Sequence, residues 1–276
     1  MSDPRPLAVF DSGIGGLTVL RALRRRLPAE SVLYLGDTAR VPYGTRADET
    51  VLRYAREAAA FLVARDVKAV VVACNTVSAV ALDVLAGELP VPVVGVLEPG
   101  ARQACRRTGG RVGVIGTAAT VRSAAYARRI RELRPGTEVF QAACPLFVPL
   151  AEEGWDEGDV PRLVAERYLA ELKAAAVDTL VLGCTHYPVL RPVIRAVMGE
   201  DVDLVDSAEA AAAEVAGLVS ERGLAAPGKQ NTDADHFFVT DSSERFREVG
   251  ERFLGSALAR LEQVSLPGVP APSSAI

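Results

Sequence analysis

Lysine and histidine are nearly missing from this chain: Lys68, Lys173 and Lys229 are the only lysines in 276 residues, and His186 and His236 the only histidines. A Schiff-base cofactor such as pyridoxal phosphate needs a lysine, usually on a pocket loop. Lys68 stands just before an apolar run, Lys173 on a helical stretch and Lys229 in a polar loop, so no cofactor of that kind is expected. Two histidines and four cysteines without a CxxC pair leave none of the usual zinc spacings, and no metal is expected. An excess of either charge is lacking too. The formal net charge of -4 gives no electrostatic reason for nucleic acid or an anionic membrane as a partner. No apolar run approaches the ~20 residues that span a bilayer. The opening Met1-Ser2-Asp3-Pro4-Arg5-Pro6 has no apolar signal-peptide core. The expectation is a soluble, cytoplasmic protein whose thiols stay reduced.

What is present is alternation. Short β-branched runs alternate with amphipathic stretches, the pattern of parallel α/β architecture. Strands are expected near 7–10, 32–35, 69–73 and 93–96, and again in the same order near 112–115, 138–142, 179–182 and 203–205. At the third strand of each half the match becomes chemical: Ala73-Cys74-Asn75-Thr76 corresponds to Gly183-Cys184-Thr185-His186. The predicted fold is α/β, two pseudo-symmetric lobes, each a mainly parallel sheet flanked by helices, with the active site in the cleft between them. An alanine-rich helix over 207–220, a strand over 237–239 and a last helix over 243–261 lie outside the repeat and are expected to return to the first lobe. The lobes are then 1–97 with 208–265, and 98–207. The Pro/Ser-rich 266–276 reads as a disordered tail.

Ligands in parallel α/β folds bind beyond the carboxyl ends of the strands, and the unusual residues of this sequence fall there. Asp11, Ser12 and the glycines 13, 15 and 16 follow strand one; Asp37 and the Val41–Gly44 turn follow strand two; the two cysteines follow their third strands. The glycine run lacks both the GK[ST] of a phosphate loop and the GxGxxG frame. It suits either a plain turn or backbone N–H groups facing a carboxylate. A cysteine ending an apolar strand is ordinarily a small buried hydrophobe. Cys105 and Cys144 are read that way. Cys74 and Cys184 are each followed by polar residues opening a helix, whose positive end favours a thiolate. Asp11 beside one thiol and His186 beside the other provide proton partners. By pattern alone, Glu152 and Glu153 belong to a solvated acidic stretch, and Trp155 and His236 to packing or bridging.

Six motifs together closely resemble the glutamate racemase family of the cofactor-independent Asp/Glu racemase superfamily. They are Phe10-Asp11-Ser12-Gly13-Ile14-Gly15-Gly16, Val41-Pro42-Tyr43-Gly44, Ala73-Cys74-Asn75-Thr76, Gly116-Thr117-Ala118-Ala119-Thr120-Val121, Cys144-Pro145-Leu146-Phe147-Val148-Pro149-Leu150 and Gly183-Cys184-Thr185-His186-Tyr187-Pro188. The resemblance runs from Leu7 to about Leu254. It implies two catalytic thiols, Cys74 and Cys184, with Asp11 and His186 as helpers. It implies substrate contacts from Asp11, Ser12, Tyr43, Gly44, Asn75, Thr76, Thr117, Thr120, Thr185 and His186, and it raises Glu152 to an auxiliary acid or base. It implies racemisation of glutamate without a cofactor and D-glutamate for peptidoglycan as the product's use; members of the family differ in assembly, and a homodimer is the expectation for this chain.

Inverting a stereocentre by proton transfer requires taking hydrogen from one face of Cα and returning it to the other, which two groups on opposite sides accomplish without rearrangement. Other readings stand beside this one. They are an aspartate racemase or another carbon-acid enzyme of the superfamily, a two-lobed amino-acid binder without chemistry, a redox protein pairing the two cysteines, and, behind these, a nucleotide site at the glycine run.

Overall fold

The computed structural model describes residues 2–228 and 234–267. The first half runs β1 (Leu7–Asp11), α1 (Leu17–Arg26), β2 (Val32–Gly36), α2 (Asp48–Val63), β3 (Ala69–Val72), α3 (Asn75–Val80), α4 (Leu82–Glu88) and β4 (Val93–Gly95). Helix α5 (Leu97–Arg107) leads into β5 (Arg111–Gly116), α6 (Ala118–Ser123), α7 (Ala125–Leu133), β6 (Glu138–Ala143), α8 (Phe147–Glu153) and α9 (Asp159–Ala174). Then come β7 (Thr179–Gly183), α10 (Arg191–Met198), β8 (Asp203–Asp206), α11 (Ser207–Glu221), β9 (His236–Val239), α12 (Ser243–Leu254) and β10 (Leu261–Gln263).

Two sheets result, with strand orders β10-β9-β2-β1-β3-β4 and β6-β5-β7-β8. The inner order 2-1-3-4 of the first recurs as 6-5-7-8 in the second, and every pairing is parallel. Cys74 and Cys184 therefore follow equivalent strands. Parallel sheets are covered on both faces, and the sequence meets that demand: β1, β3 and β7 are buried along their whole length. The helices supply the cover by period. In α2, Val51, Ala55, Ala58, Ala59 and Leu62 point inward, with Asp48 and Glu49 in the first turn facing the positive end of the helix. Arg24, Arg25 and Arg26 close α1 at its negative end.

The chain passes between the sheets at α5 and again at the start of α11, which packs on both α1 and α5. Strands β9 and β10 extend the first sheet. The last helix ends at Leu254 rather than at 261, because Gly255 adopts a left-handed conformation (φ 79°) and caps it. Residues 261–263 then form a short, polar edge strand, a form that resists pairing with another chain. Leu266, read from sequence as tail, is buried with the first lobe's apolar residues, and Arg40 Nη1 reaches the Pro267 carbonyl at 3.4 Å. The rest of the expected tail, 268–276, and Lys229 lie outside the described residues. No described helix is long and apolar enough to cross a membrane.

Candidate active site

The carboxyl ends of the two sheets face each other over a cavity of about 70 Å³, lined from the first lobe by Ser12, Pro42, Tyr43, Gly44, Cys74, Asn75 and Thr76 and from the second by Thr117, Val148, Cys184, Thr185 and His186. At about 10–15 Å³ for each water-sized group, that is room for roughly five to seven, the scale of a small metabolite and far short of a nucleotide. A larger cavity of about 660 Å³ lies between α1, α5 and α11, bordered by Arg26, Arg102, Glu209 and Glu214, and touches neither thiol. The small cavity carries both thiols of the repeated motif.

The glycine run and the Tyr43-Gly44 turn bring the lobes into contact. A Cβ on Gly15 would stand 2.2 Å from Thr185 Oγ1 and 2.5 Å from His186 Nδ1, and one on Gly44 would stand 2.7 Å from Thr117 Cβ. Glycine is required at both places so that backbone meets side chain across the cleft. Thr18 Oγ1 adds a link, 2.9 Å from the carbonyls of both Gly15 and Thr185. The glycines thus serve lobe docking, a third reading beside turn and anion loop.

All four cysteines are free thiols, and Cys74 and Cys184 are each 6% exposed, both into this cavity. The Cys74 thiol donates to Ser12 Oγ at 3.3 Å. Burial pushes it up to about 12, with the Asp11 charge adding to the rise, while Ser12 and the Val77 N–H of the helix start pull the other way. The expected lowering by the helix end is present but outweighed. Asp11 itself is fully buried and raised by desolvation, against the pull of His186 and the Gly13 and Gly16 N–H groups. Its Oδ2 accepts from Gly13 N at 2.9 Å, and its Oδ1 has no partner. On the other side Cys184 Sγ lies 3.9 Å from His186 Nδ1, and His186 Nε2 lies 2.9 Å from Glu152 Oε1. Burial alone would push His186 down; its hydrogen bonds to Cys184 and Glu152 hold it near 10 instead. Glu152, despite a burial effect in the opposite sense, sits below the usual carboxylate range beside His186 and Arg245.

Of the residues singled out from sequence, ten line the cavity, and Asp11, Thr120 and Glu152 stand directly behind it. Thr120 joins Thr76 and Thr117 in a ring of hydroxyls bridging the lobes, at 3.0 Å (Thr76–Thr117), 3.1 Å (Thr117–Thr120) and 3.4 Å (Thr76–Thr120). The Asn75 side chain is engaged elsewhere: Tyr126 OH donates to its Oδ1 at 2.7 Å, and its Nδ2 donates to Ser207 Oγ at 3.4 Å. Tyr126 and Ser207 carried no signal in the sequence beyond their ordinary apolar and cap contexts. Asp37, noted only for its place after strand two, is wholly buried; it accepts from Thr240 Oγ1 (2.9 Å), Arg40 Nε (2.6 Å) and the Tyr43 hydroxyl, and so fixes the Tyr43 wall. Glu152 had a helical signal that went unread. It stands four residues after Val148, a cavity-lining residue, and so on the same helix face. Trp155 is 54% exposed, while His236 bridges to Glu262 at 3.0 Å. Neither Lys68 nor Lys173 reaches the cavity; Lys68 Nζ pairs with Glu30 and the Asp3 and Leu224 carbonyls, and Lys173 Nζ bonds the Val197 carbonyl.

Comparison with known proteins bears on the same site. Residues 15–215 match the model of the Asp/Glu/Hydantoin racemase family. The chain is 55% identical over 263 residues to the glutamate racemase of Geobacter metallireducens, covering 95% of this chain and 97% of that protein. Among solved structures it superposes on glutamate racemase from Thermus thermophilus in complex with β-chloro-D-alanine, at TM-score 0.87 and 48% identity, over 96% of this chain and 99% of that one. It also superposes on the enzyme from Francisella tularensis in complex with D-glutamate, at TM-score 0.90 and 40% identity, over 95% and 98%.

Proposed function

The chain belongs to the Asp/Glu/hydantoin racemase family, and from that premise we propose that it interconverts L- and D-glutamate without an added cofactor, Cys74 and Cys184 exchanging the Cα proton from opposite sides. The observation that carries this reading is the pair of free thiols at equivalent places in two matching sheets, lining one cavity from its two lobes. The units assigned are 1–97 with 208–265, and 98–207, their cleft holding the substrate.

In one direction a thiolate takes the Cα proton while the opposite thiol donates one; in reverse they exchange roles. Burial and the Asp11 charge keep Cys74 neutral, so it must first lose its proton. Asp11, with a raised affinity for protons and a free buried oxygen, is the acceptor at hand. The substrate's ammonium, seated beside that oxygen, offsets the carboxylate charge that keeps Cys74 protonated. On the other side the His186 imidazolium, held by Glu152, faces the Cys184 sulfur as a proton donor. Negative charge developing on the substrate carboxylate meets the hydroxyls of Thr76, Thr117, Thr120 and Thr185 and the N–H groups that open α3. Ser12, Tyr43, Gly44 and the Asn75 backbone complete the contacts. D-glutamate made this way supplies peptidoglycan assembly. A homodimer is part of the proposal, with exposed Leu146, Trp155, Val160 and Leu163 as the apolar surface a second copy would cover.

Incubation with L-glutamate in deuterated buffer, without added cofactor, tests the reading: deuterium at Cα together with loss of optical rotation is expected. Faster turnover of L-aspartate than of L-glutamate would move the assignment to an aspartate racemase, and no exchange with either would overturn it.

A further inference from the structure

Helix α12 stands outside the twofold plan of the strands, yet three of its side chains touch the Cys184 side of the site. Arg245 Nη2 lies 3.0 Å from Glu153 Oε1 and 4.0 Å from Glu152 Oε2. Arg252 Nη2 donates to the Glu152 carbonyl, and its guanidinium lies over Gly154, where a Cβ would stand 2.7 Å from Nη1. Phe253 packs edge-on against the His186 ring, centroids 5.4 Å apart at 79°. Residues 245, 252 and 253 are seven and eight positions apart and share a helix face. Helix α12 packs on α1 in the first lobe, whereas Glu152 and His186 belong to the second. The carboxyl end of α8, where unpaired carbonyls gather negative potential, is thus capped by a cation from the opposite lobe.

We propose that α12 is a latch across the cleft, in which Arg245 and Arg252 act as positioning residues: they hold the end of α8 and thereby keep Glu152 against His186 when the lobes are closed. A cavity of about 190 Å³ bordered by Ile14, Thr38, Val41, Glu152, Asp241 and Arg245 lies beside this contact. When the latch opens, Glu152 swings toward that space and loses the imidazole. The inference rests on the racemase reading given above. The charged and titratable groups around His186 are Cys184, Asp11 from β1, Glu152 on α8 and, beyond it, Arg245 on α12.

The test compares wild type, the double variant Arg245→Ala/Arg252→Ala and the single variant Arg252→Lys, measuring kcat and KM for L-glutamate across pH and the thermal midpoint. Both arginines are exposed, and exposed pairs contribute little to stability, so the midpoint should move by no more than about 2–4 °C. Misplacing an acid–base group by a fraction of a bond length is far more costly. The double variant should lose about tenfold or more in kcat, and its alkaline limb should move to lower pH, since His186 gives up its proton earlier without Glu152. Arg252→Lys should keep most of the wild-type kcat, because Arg245 is intact and an ammonium still donates to the Glu152 carbonyl. A double variant with wild-type kcat and an unmoved limb overturns the latch, as does a loss of activity that only follows a fall in the midpoint. If wild type itself does not racemise glutamate, the functional reading has failed, which is a different result.

Discussion

Cys74 opens α3 but is not activated by it. One backbone N–H and one serine hydroxyl act against near-complete burial and a carboxylate, and burial prevails. A thiol in that state needs a partner to remove its proton, which is the role proposed above for Asp11. Replacing Cys74 or Cys184 by alanine should lower racemisation by at least about 10³-fold, while either variant keeps one-sided chemistry on a substrate analogue; polarimetry and product release from the analogue measure the two effects. Substantial D/L interconversion by either variant would contradict the two-thiol assignment. His186 carries a stability signature as well. Its imidazolium persists to about pH 10 in the fold, against ~6.5 in an unfolded chain. Its contribution is therefore fully present below about pH 6.5 and is lost as pH rises through 10. Glu152, lowered, contributes above the ordinary glutamate value of ~4.3 and loses that contribution as pH falls through its own depressed value. Thermal midpoints recorded from pH 6 to about 10.5 should decline for wild type and stay flatter for His186→Asn. Parallel curves would show that the imidazolium contributes nothing.

The elements near the cleft separate what sequence reveals from what it hides. Strand positions and the inward faces of α1 and α2 were legible, because period and β-branched composition are local properties that burial on both faces enforces. The end of α12 was not: Gly255 breaks the helix, but the apolar residues beyond it continue a helical-looking pattern as far as 261, and β10 forms only because β9 offers an edge. Glu152 was hidden by acidic neighbours, and its partner lies 34 residues along the chain. The glycines 13, 15 and 16 were visible, but what stands opposite them was not. For Gly15 that neighbour is the second lobe, and this yields a prediction. Gly15→Ala leaves each lobe's own packing alone and places a methyl where Thr185 and His186 dock. A misfit of that size should cost about a hundredfold in kcat/KM while circular dichroism stays unchanged. Wild-type kcat/KM would mean that the lobes do not need this contact.

Across the whole molecule, the recurrence of strand order explains why the two cysteines could be paired from sequence: the same residue after the same strand of a repeated sheet is a statement about position in space. Their cavity could not be read, because its walls come from six separate segments and its size is set by how closely the lobes meet. At about 70 Å³ it is narrow around its two thiols, and the hydroxyls of Thr76, Thr117 and Thr120 join the lobes directly. Entry of an amino acid is expected to part those hydroxyls and the Gly15 contact. The chain crosses between the lobes at α5 and the start of α11, and the buried hydrogen bonds from Tyr126 through Asn75 to Ser207 tie α7 and α3 to the second crossing; opening is expected to turn about these crossings. Amide hydrogen exchange should therefore distinguish two classes. Segments at the mouth, 12–16, 41–45, 117–121 and 184–188, open with the lobes and should gain protection when glutamate binds and holds them closed. The strands β1, β3, β5 and β7 exchange only through wider unfolding and should change little. Equal gains in both classes would mean that ligand stabilises the fold as a whole without closing a cleft, and no gain at the mouth would mean that the lobes stand closed whether or not substrate is there.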